Sequence, residues 1–231
     1  MISLEDVEKV YQLGETEVKA LRGSDVEIEE GEFVAIMGPS GSGKSTLMNM
    51  IGALDVPTGG EVNIGEEKIE EMTEDELAHL RSRKVGFIFQ EFNLINSMNA
   101  WQNVALPMLF RGKSKKKRKE RALKLLEDVG LGDRTRHRPS ELSGGQRQRV
   151  SIARSLANNP EIILADEPTG NLDTDTGAKI MDLLTDLNKE GKTIIMVTHD
   201  PNDADYADRT IQIIDGVTNP DREVKQEELE E

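Results

Sequence analysis

Two kinds of apolar pattern alternate along this chain. Val26-Glu27-Ile28 and Val62-Asn63-Ile64 alternate apolar and polar positions, and Ile2, Leu4 and Val7 stand among polar residues. Both features predict half-buried strands in the first third. Phe33-Val34-Ala35-Ile36-Met37 is apolar throughout and of strand length, as a strand covered on both faces is. Val85-Gly86-Phe87-Ile88-Phe89, Ile162-Ile163-Leu164-Ala165 and Thr193-Ile194-Ile195-Met196-Val197 repeat that pattern. Between some of these runs the period changes. Ala122, Leu125, Leu126 and Val129 keep helical spacing, as do Ile180, Leu183, Leu184 and Leu187. Buried strands alternating with amphipathic helices predict an α/β fold with a mainly parallel sheet. From about Glu91 to Asn159 no strand signal occurs, so this stretch reads as a helical insert between two core strands.

Composition narrows the picture. At 231 residues the chain is long enough to bury a core as one domain carrying an insert. Lys plus Arg total 29 and Asp plus Glu 44, a formal net charge of −15, which disfavours nucleic acid as a partner held by bulk charge. The absence of cysteine excludes disulfides and thiolate chemistry. No apolar run approaches the ~18 residues of a membrane span. Met1-Ile2-Ser3-Leu4-Glu5-Asp6 shows no basic region followed by an apolar stretch, so no signal peptide is visible. These features predict an intracellular protein that would serve a membrane only through a partner.

The sharpest chemistry lies in Gly38-Pro39-Ser40-Gly41-Ser42-Gly43-Lys44-Ser45-Thr46. It follows a buried strand and precedes a helix-like segment, Thr46 to Ala53, the context a phosphate loop requires. Glycines let backbone N–H groups curl around phosphate oxygens, and the helix start adds partial positive charge. Lys44 would reach the outer phosphates, the Ser45 hydroxyl would ligate Mg²⁺, and Thr46 could donate to the inner phosphate. A second feature is the strand Ile162–Ala165, which delivers Asp166 and Glu167 at its C-terminal end, where α/β ligands bind. Asp166 there would help hold Mg²⁺, and Glu167 could orient and deprotonate an attacking water. Third, Leu142-Ser143-Gly144-Gly145-Gln146 opens a helical stretch. Ser143 can cap it, and the glycine pair would let an anion approach the backbone. The plain alternative is an ordinary capped helix after a turn.

Taken in order, these motifs resemble those of the nucleotide-binding domains of ATP-binding-cassette (ABC) proteins. The sequence order is phosphate loop, Gln90, Leu142–Gln146, Asp166-Glu167, Asn171-Leu172-Asp173, then His199. More narrowly the chain is similar to ATPases of the lipoprotein-release and macrolide-efflux type, through Gln90–Ile95, Asn103–Pro107 and Ala165–Asp173. The resemblance implies a P-loop NTPase fold with an antiparallel N-terminal β part. It implies one ABC ATPase domain over 1–218 and a helical subdomain over about 91–159; the stretch 219–231 is polar and acidic without periodicity and reads as a frayed tail.

It further implies ATP and Mg²⁺ as cofactors. Tyr11 would stack on the adenine. Gln90 would sit near Mg²⁺ and the attacking water. His199 would hydrogen-bond the γ-phosphate, with Lys44 and Glu167 completing the catalytic set. Ser143, Gly144, Gly145 and Gln146 would cap the nucleotide of a second copy in a head-to-tail homodimer, and Asp173 would connect the two active sites. An integral membrane permease would dock near Phe92–Leu106, placing the protein on the cytoplasmic face of the membrane, with export or envelope work as the expected role. In that stretch Asn99 and Gln102 stand where Thr and Glu are frequent in the subgroup.

Other features have plainer readings. His79 and His137 lie in charged segments and read as surface residues, and Gly191-Lys192-Thr193 as a turn into a strand. Trp101 is a core anchor or a partner contact. Residues 111–121 hold eight of the 29 basic side chains, either a solvated helix start or a surface for anionic lipid or an acidic loop. A soluble ABC ATPase working on ribosomes or DNA is disfavoured, because there is one motif set, no long heptad run and a strongly negative charge. A P-loop kinase would leave Leu142–Gln146 and His199 unexplained.

Overall fold

The computed structural model describes residues 1–14 and 16–219. The chain divides into two compact units, Met1–Ala78 with Ile195–Glu231, and His79–Ile194.

The first unit opens with the long strands β1 (Ile2–Leu13) and β2 (Thr16–Ile28), paired antiparallel from Ile2↔Ile28 to Leu13↔Thr16. Strand β4 (Gly59–Ile64) pairs antiparallel with β1, and β5 (Glu67–Lys68) follows it at the edge, giving the order β2-β1-β4-β5. The predicted alternation is present: Ile2, Leu4, Val26, Ile28, Val62 and Ile64 are buried while polar neighbours on each strand face out. Strand β3 (Phe33–Met37) is buried at every position, as its unbroken apolar run requires. It pairs in parallel with β9 (Arg209–Ile214), which pairs antiparallel with β10 (Val217–Asn219). Helix α1 (Lys44–Ile51) buries Leu47, Met48, Met50 and Ile51. It begins two residues earlier and ends two earlier than the apolar pattern predicts, because Gly43 and Gly52 are its caps. A short helix, α7 (Pro201–Ala204), follows β8 (Thr193–Val197).

The second unit holds the parallel pair β6 (Val85–Ile88) and β7 (Ile162–Asp166), in register from Val85↔Ile162 to Ile88↔Ala165. The boundaries between the units fall inside α2 (Glu74–Lys84) and inside β8. Between β6 and β7 the regular elements are α3 (Ala100–Phe110), α4 (Lys115–Asp128) and α5 (Gly144–Ser155), with two 3₁₀ turns at Pro139–Glu141 and Leu156–Asn158. Ala122, Leu125 and Leu126 form the buried face of α4, and Val129 caps it. Helix α6 (Thr174–Lys189) buries Ile180, Met181, Leu184 and Leu187. Leu183 is only half-buried, and Met181 takes the core position beside Ile180.

Asn219, counted with the acidic tail above, pairs with Gln212 as the last residue of β10, and residues 220–231 of that tail lie outside the described residues. Among the described residues no helix is long and apolar enough to cross a membrane.

Candidate functional site

In the first unit the turn after β3 folds onto β9 and β2. Gly43 has φ +107°, and a Cβ there would meet Ala20 O at 2.6 Å, so glycine is required both by conformation and by the neighbouring strand. Gly43 is also the N-cap of α1 and, having no side chain, makes no cap hydrogen bond to the first amides of that helix. Those donors point to an external acceptor. The ammonium of Lys44 donates to Gly38 O at 2.6 Å and Pro39 O at 2.8 Å, which bends the side chain back over the loop. The Ser42 hydroxyl is buried with no hydrogen-bond partner among the described residues. Ser45 is exposed and Thr46 half-buried in the first turn, while Ser40 and Gly41 lie exposed in the loop.

Tyr11 sits on β1, half-exposed, and its hydroxyl donates to Asp55 Oδ2 at 2.9 Å. Lys9, two residues earlier on the same strand face, places its ammonium 5.1 Å from the Tyr11 ring centroid. That ammonium also donates to Asp55 Oδ1 at 2.6 Å and Val56 O at 2.7 Å. Burial, then the hydrogen bond and charge of Asp55, push the Tyr11 phenol above its ordinary pKa, so it remains a donor. Burial would raise the Asp55 carboxyl, but hydrogen bonds from Lys9, the Val56 amide and Tyr11 outweigh it and hold the group below the usual carboxylate range.

His199 follows β8 in an exposed bend. Its neighbours are pinned: Thr198 N donates to Ile36 O at 3.2 Å, and Asp200 N donates to Thr198 Oγ1 at 3.0 Å. Asp200 in turn caps α7 through Asn202 N at 2.9 Å.

In the second unit Gln90 lies in the turn after β6. Its backbone oxygen accepts from Asn171 Nδ2 at 2.9 Å, and a Cβ on Gly170 would come within 2.8 Å of Gln90 Nε2. The turn continues through Phe92 and Asn93, both at positive φ, 59° and 47°. Arg154 of α5 donates to the carbonyls of both residues. Burial pulls its pKa below the ordinary arginine value. Arg147 lies 5.2 Å from the Phe92 ring centroid. Glu91, Phe92, Asn93, Leu94, Asn96, Pro139, Ser140 and Arg147 line an open groove of about 360 Å³.

Asp166 ends β7, half-buried, and Glu167 follows at φ 42°, a conformation side-chain-bearing residues seldom adopt outside constrained sites. Pro168 O accepts from the buried Gln148 of α5 at 2.7 Å. Helix α5 starts at a reciprocal cap: Ser143 Oγ accepts from Gln146 N at 3.3 Å, and Gln146 Oε1 accepts from Ser143 N at 2.9 Å. Gly145 is buried, and a Cβ there would meet Thr176 Cγ2 at 2.3 Å; at Gly144 the nearest neighbour would be Leu172 Cδ2 at 3.2 Å. The need for glycine at 145 is therefore met within this chain, by contact with α6. Asp173 caps α6, accepting from Thr176 N at 2.9 Å, and the contacts with Thr176 lower its pKa.

Asn99 and Gln102 form a second reciprocal cap, at the start of α3, with bonds of 3.1 and 3.0 Å. The pair does the same work that Thr and Glu do at those positions, so the departure from the subgroup preserves helix-start chemistry. Asn103, fully buried, bonds Ile95 N, Ile95 O, Met98 O and Asn99 O, which fixes the loop entering α3. Trp101 is half-exposed, between the two readings of it. His79 is exposed, and the half-buried His137 lends its carbonyl to Ala100 N at 2.8 Å. Lys9, Asp55 and Arg154 were not singled out in the sequence.

Comparison with known proteins decides the family. The family described as ABC transporter matches residues 21–170. The chain belongs to the ABC transporter family. This ABC ATPase is 54% identical over 216 residues to an ABC transporter ATP-binding protein of Thermotoga maritima, covering 94% of this chain and 92% of the other. It is 52% identical to the macrolide export ATP-binding/permease protein MacB of Chlorobaculum tepidum, over 96% of its own length but only 34% of MacB, about a third of that longer protein. Among solved structures, the dimeric post-hydrolysis state of the cassette MJ0796 bound to ADP and Pi matches with TM-score 0.87 and 50% identity, over 95% of this chain and 97% of that one. A Methanocaldococcus jannaschii protein of the same designation is 53% identical over 221 residues. The mixed α/β cassette fold and the ABC-type ATPase activity follow, and the chain is an ABC transporter ATP-binding subunit.

Proposed function

We propose that this ATPase closes head-to-tail with a second copy around two ATP molecules and drives an integral membrane permease in export or envelope work, from the cytoplasmic face. The observation that carries the reading is the start of α1, where uncapped amides and a lysine folded onto its own loop await an anion. The named relatives support it: MJ0796 forms a dimer with ADP and Pi, and MacB is an export ATP-binding/permease protein.

The loop amides of Gly38–Thr46 and the Lys44 ammonium bind the phosphates, with Lys44 exchanging its two carbonyl partners for phosphate oxygens. The orphaned Ser42 hydroxyl fits the same role. Tyr11, held by Asp55 and Lys9, presents its ring to the adenine. Ser45, Gln90 and Asp166 would supply the oxygen donors that Mg²⁺ takes. When bound, Mg²⁺ neutralises charge on the phosphate oxygens. Glu167 takes the proton of the attacking water as the bond to the γ-phosphorus forms and the bond to ADP breaks. His199 holds the γ-phosphate, and Ser143, Gly144, Gly145 and Gln146 contact it from the other copy. Asp173 lies at the seam. The groove around Phe92 receives the permease, and Arg154 holds its backbone in place.

Glu167→Gln tests the core of this reading. It should bind ATP, turn it over about 100-fold or more slowly, and accumulate as a dimer in light scattering. A variant that stays monomeric in saturating ATP and Mg²⁺ would exclude the sandwich for the isolated chain. A pull-down from gently solubilised native membranes tests the permease: a stoichiometric multi-span partner supports it, and recovery of ribosomes or nucleic acid would reassign the chain to a soluble role.

A further inference from the structure

The α3–α4 hairpin ends in a tip with unusual chemistry. Phe110, the last residue of α3, is 79% exposed, and Leu109 beside it is 47% exposed. The turn that follows is closed by bonds from Gly112 N to Leu109 O at 3.0 Å and Lys113 N to Met108 O at 3.2 Å, so these apolar side chains sit on an ordered corner. The chain that follows carries Arg111, Lys113, Lys115, Lys116, Lys117 and Lys119, all exposed, and residues 111–121 contain one acid, Glu120. Burial, then the charges of Arg111 and Arg121, lower the pKa of Lys113, as expected where cations crowd without a counter-charge.

The charges on α4 oppose its dipole. Its first turn carries Lys115, Lys116 and Lys117 with no acid, and its last residues are Glu127 and Asp128. Helix α2 shows the usual arrangement, with Glu74, Asp75 and Glu76 first and Arg81, Arg83 and Lys84 last. A helix charged in that order gains nothing from its dipole. Beneath the tip, Met98, Trp101, Leu106, Leu109, Lys115 and Arg118 are among the residues lining a cavity of about 190 Å³. The Arg118 Nε in it is buried without a hydrogen-bond partner among the described residues, and the Lys119 ammonium lies 5.7 Å from the Trp101 ring centroid.

We propose that the tip of the α3–α4 hairpin is a docking surface for an anionic phospholipid bilayer, with Phe110 and Leu109 entering the interface and the surrounding cations on headgroup phosphates. Exposed apolar residues ringed by cations fit a lipid interface better than an acidic protein loop, which would leave Phe110 unburied. The net charge of −15 does not forbid it, because beyond a Debye length of about 8 Å those charges are screened and the local patch dominates. The inference rests on the membrane-facing role given above to the early part of α3. Eleven helical residues place the tip about 16 Å further along, where a permease would be ringed by lipid.

The test is flotation of the full chain with vesicles of phosphatidylcholine alone or mixed with phosphatidylglycerol. The expected result is binding to the mixed vesicles only, lost at high salt. The variant with Lys115→Gln, Lys116→Gln and Lys117→Gln should bind about 100-fold more weakly, about five-fold per charge. Because those lysines oppose the dipole, it should melt no lower than the native chain and hydrolyse ATP at the native rate. Phe110→Ser should float less with the mixed vesicles at the same turnover. Equal binding to both vesicle types, binding to neither, or native binding by the triple variant would overturn the proposal. Capture of a permease alongside failed vesicle binding would remove this surface and leave the transporter reading standing.

Discussion

Helix α1 begins at Gly43, which has no side chain to cap its first amides, whereas α5 begins at Ser143 with a cap that satisfies two donors at once. Both starts are glycine-rich, and in sequence both read as anion sites. The difference lies in what each leaves unsatisfied. At α1 the buried Ser42 hydroxyl has no partner among the described residues, and the Lys44 ammonium donates to carbonyls of its own loop. At α5 the Ser143 hydroxyl already works for its own helix, and Gly145 answers to Thr176. A serine hydroxyl that accepts from its own helix still has its hydrogen to donate, so a start of the second kind can serve a second chain while keeping its cap.

The largest expected effect on this contrast comes from Lys44→Ala. Phosphate release should fall by about 100-fold or more, since a charged donor is removed from developing negative charge. Hydrolysis at the native rate would strip α1 of its role. Ser143 sharpens the other side. Ser143→Ala should melt lower by about 1 kcal/mol of stability for the lost cap. Ser143→Asp keeps the cap and should melt like the native chain, yet block ATP-driven dimerisation by setting a carboxylate against phosphate. If Ser143→Asp dimerises normally in sedimentation, α5 begins with an ordinary cap and nothing more.

Asp55→Asn should have the smallest effect, confined to the first region. Tyr11 and Lys9 lose their shared anchor, so nucleotide affinity should drop a few-fold, with no change at α5. The pH dependence has a definite sign. The folded Asp55 carboxyl lies below its unfolded value of about 3.9, so its contribution is present above that value and fades as pH falls through the folded one. Thermal melts of native and Asp55→Asn chains should differ at pH 7 and converge in acid.

The phosphate loop, the Asp166-Glu167 pair and the buried strands were legible because each is local. Nine consecutive residues, Gly38–Thr46, hold most of what a phosphate needs, and β3 and β8 announce burial by unbroken apolar runs. The period of α6 was read less well, since Met181 rather than Leu183 turns inward once the helix is packed. Asn99 and Gln102 looked like departures in a comparison by residue type, and became equivalent only as a hydrogen-bonded cap.

By itself the sequence determined the α/β alternation, the order of the motifs and hence the family, because spacing along the chain dictates which groups a turn or a helix start can present. Only the tertiary structure decided that Asp55 anchors Tyr11 from 44 residues away, that Arg154 holds Phe92 from 62 away, and that Gly145 is small for the sake of Thr176. Contacts across such separations depend on how strands and helices pack. No local pattern encodes them, because the chain between the partners carries no trace of where its ends will meet.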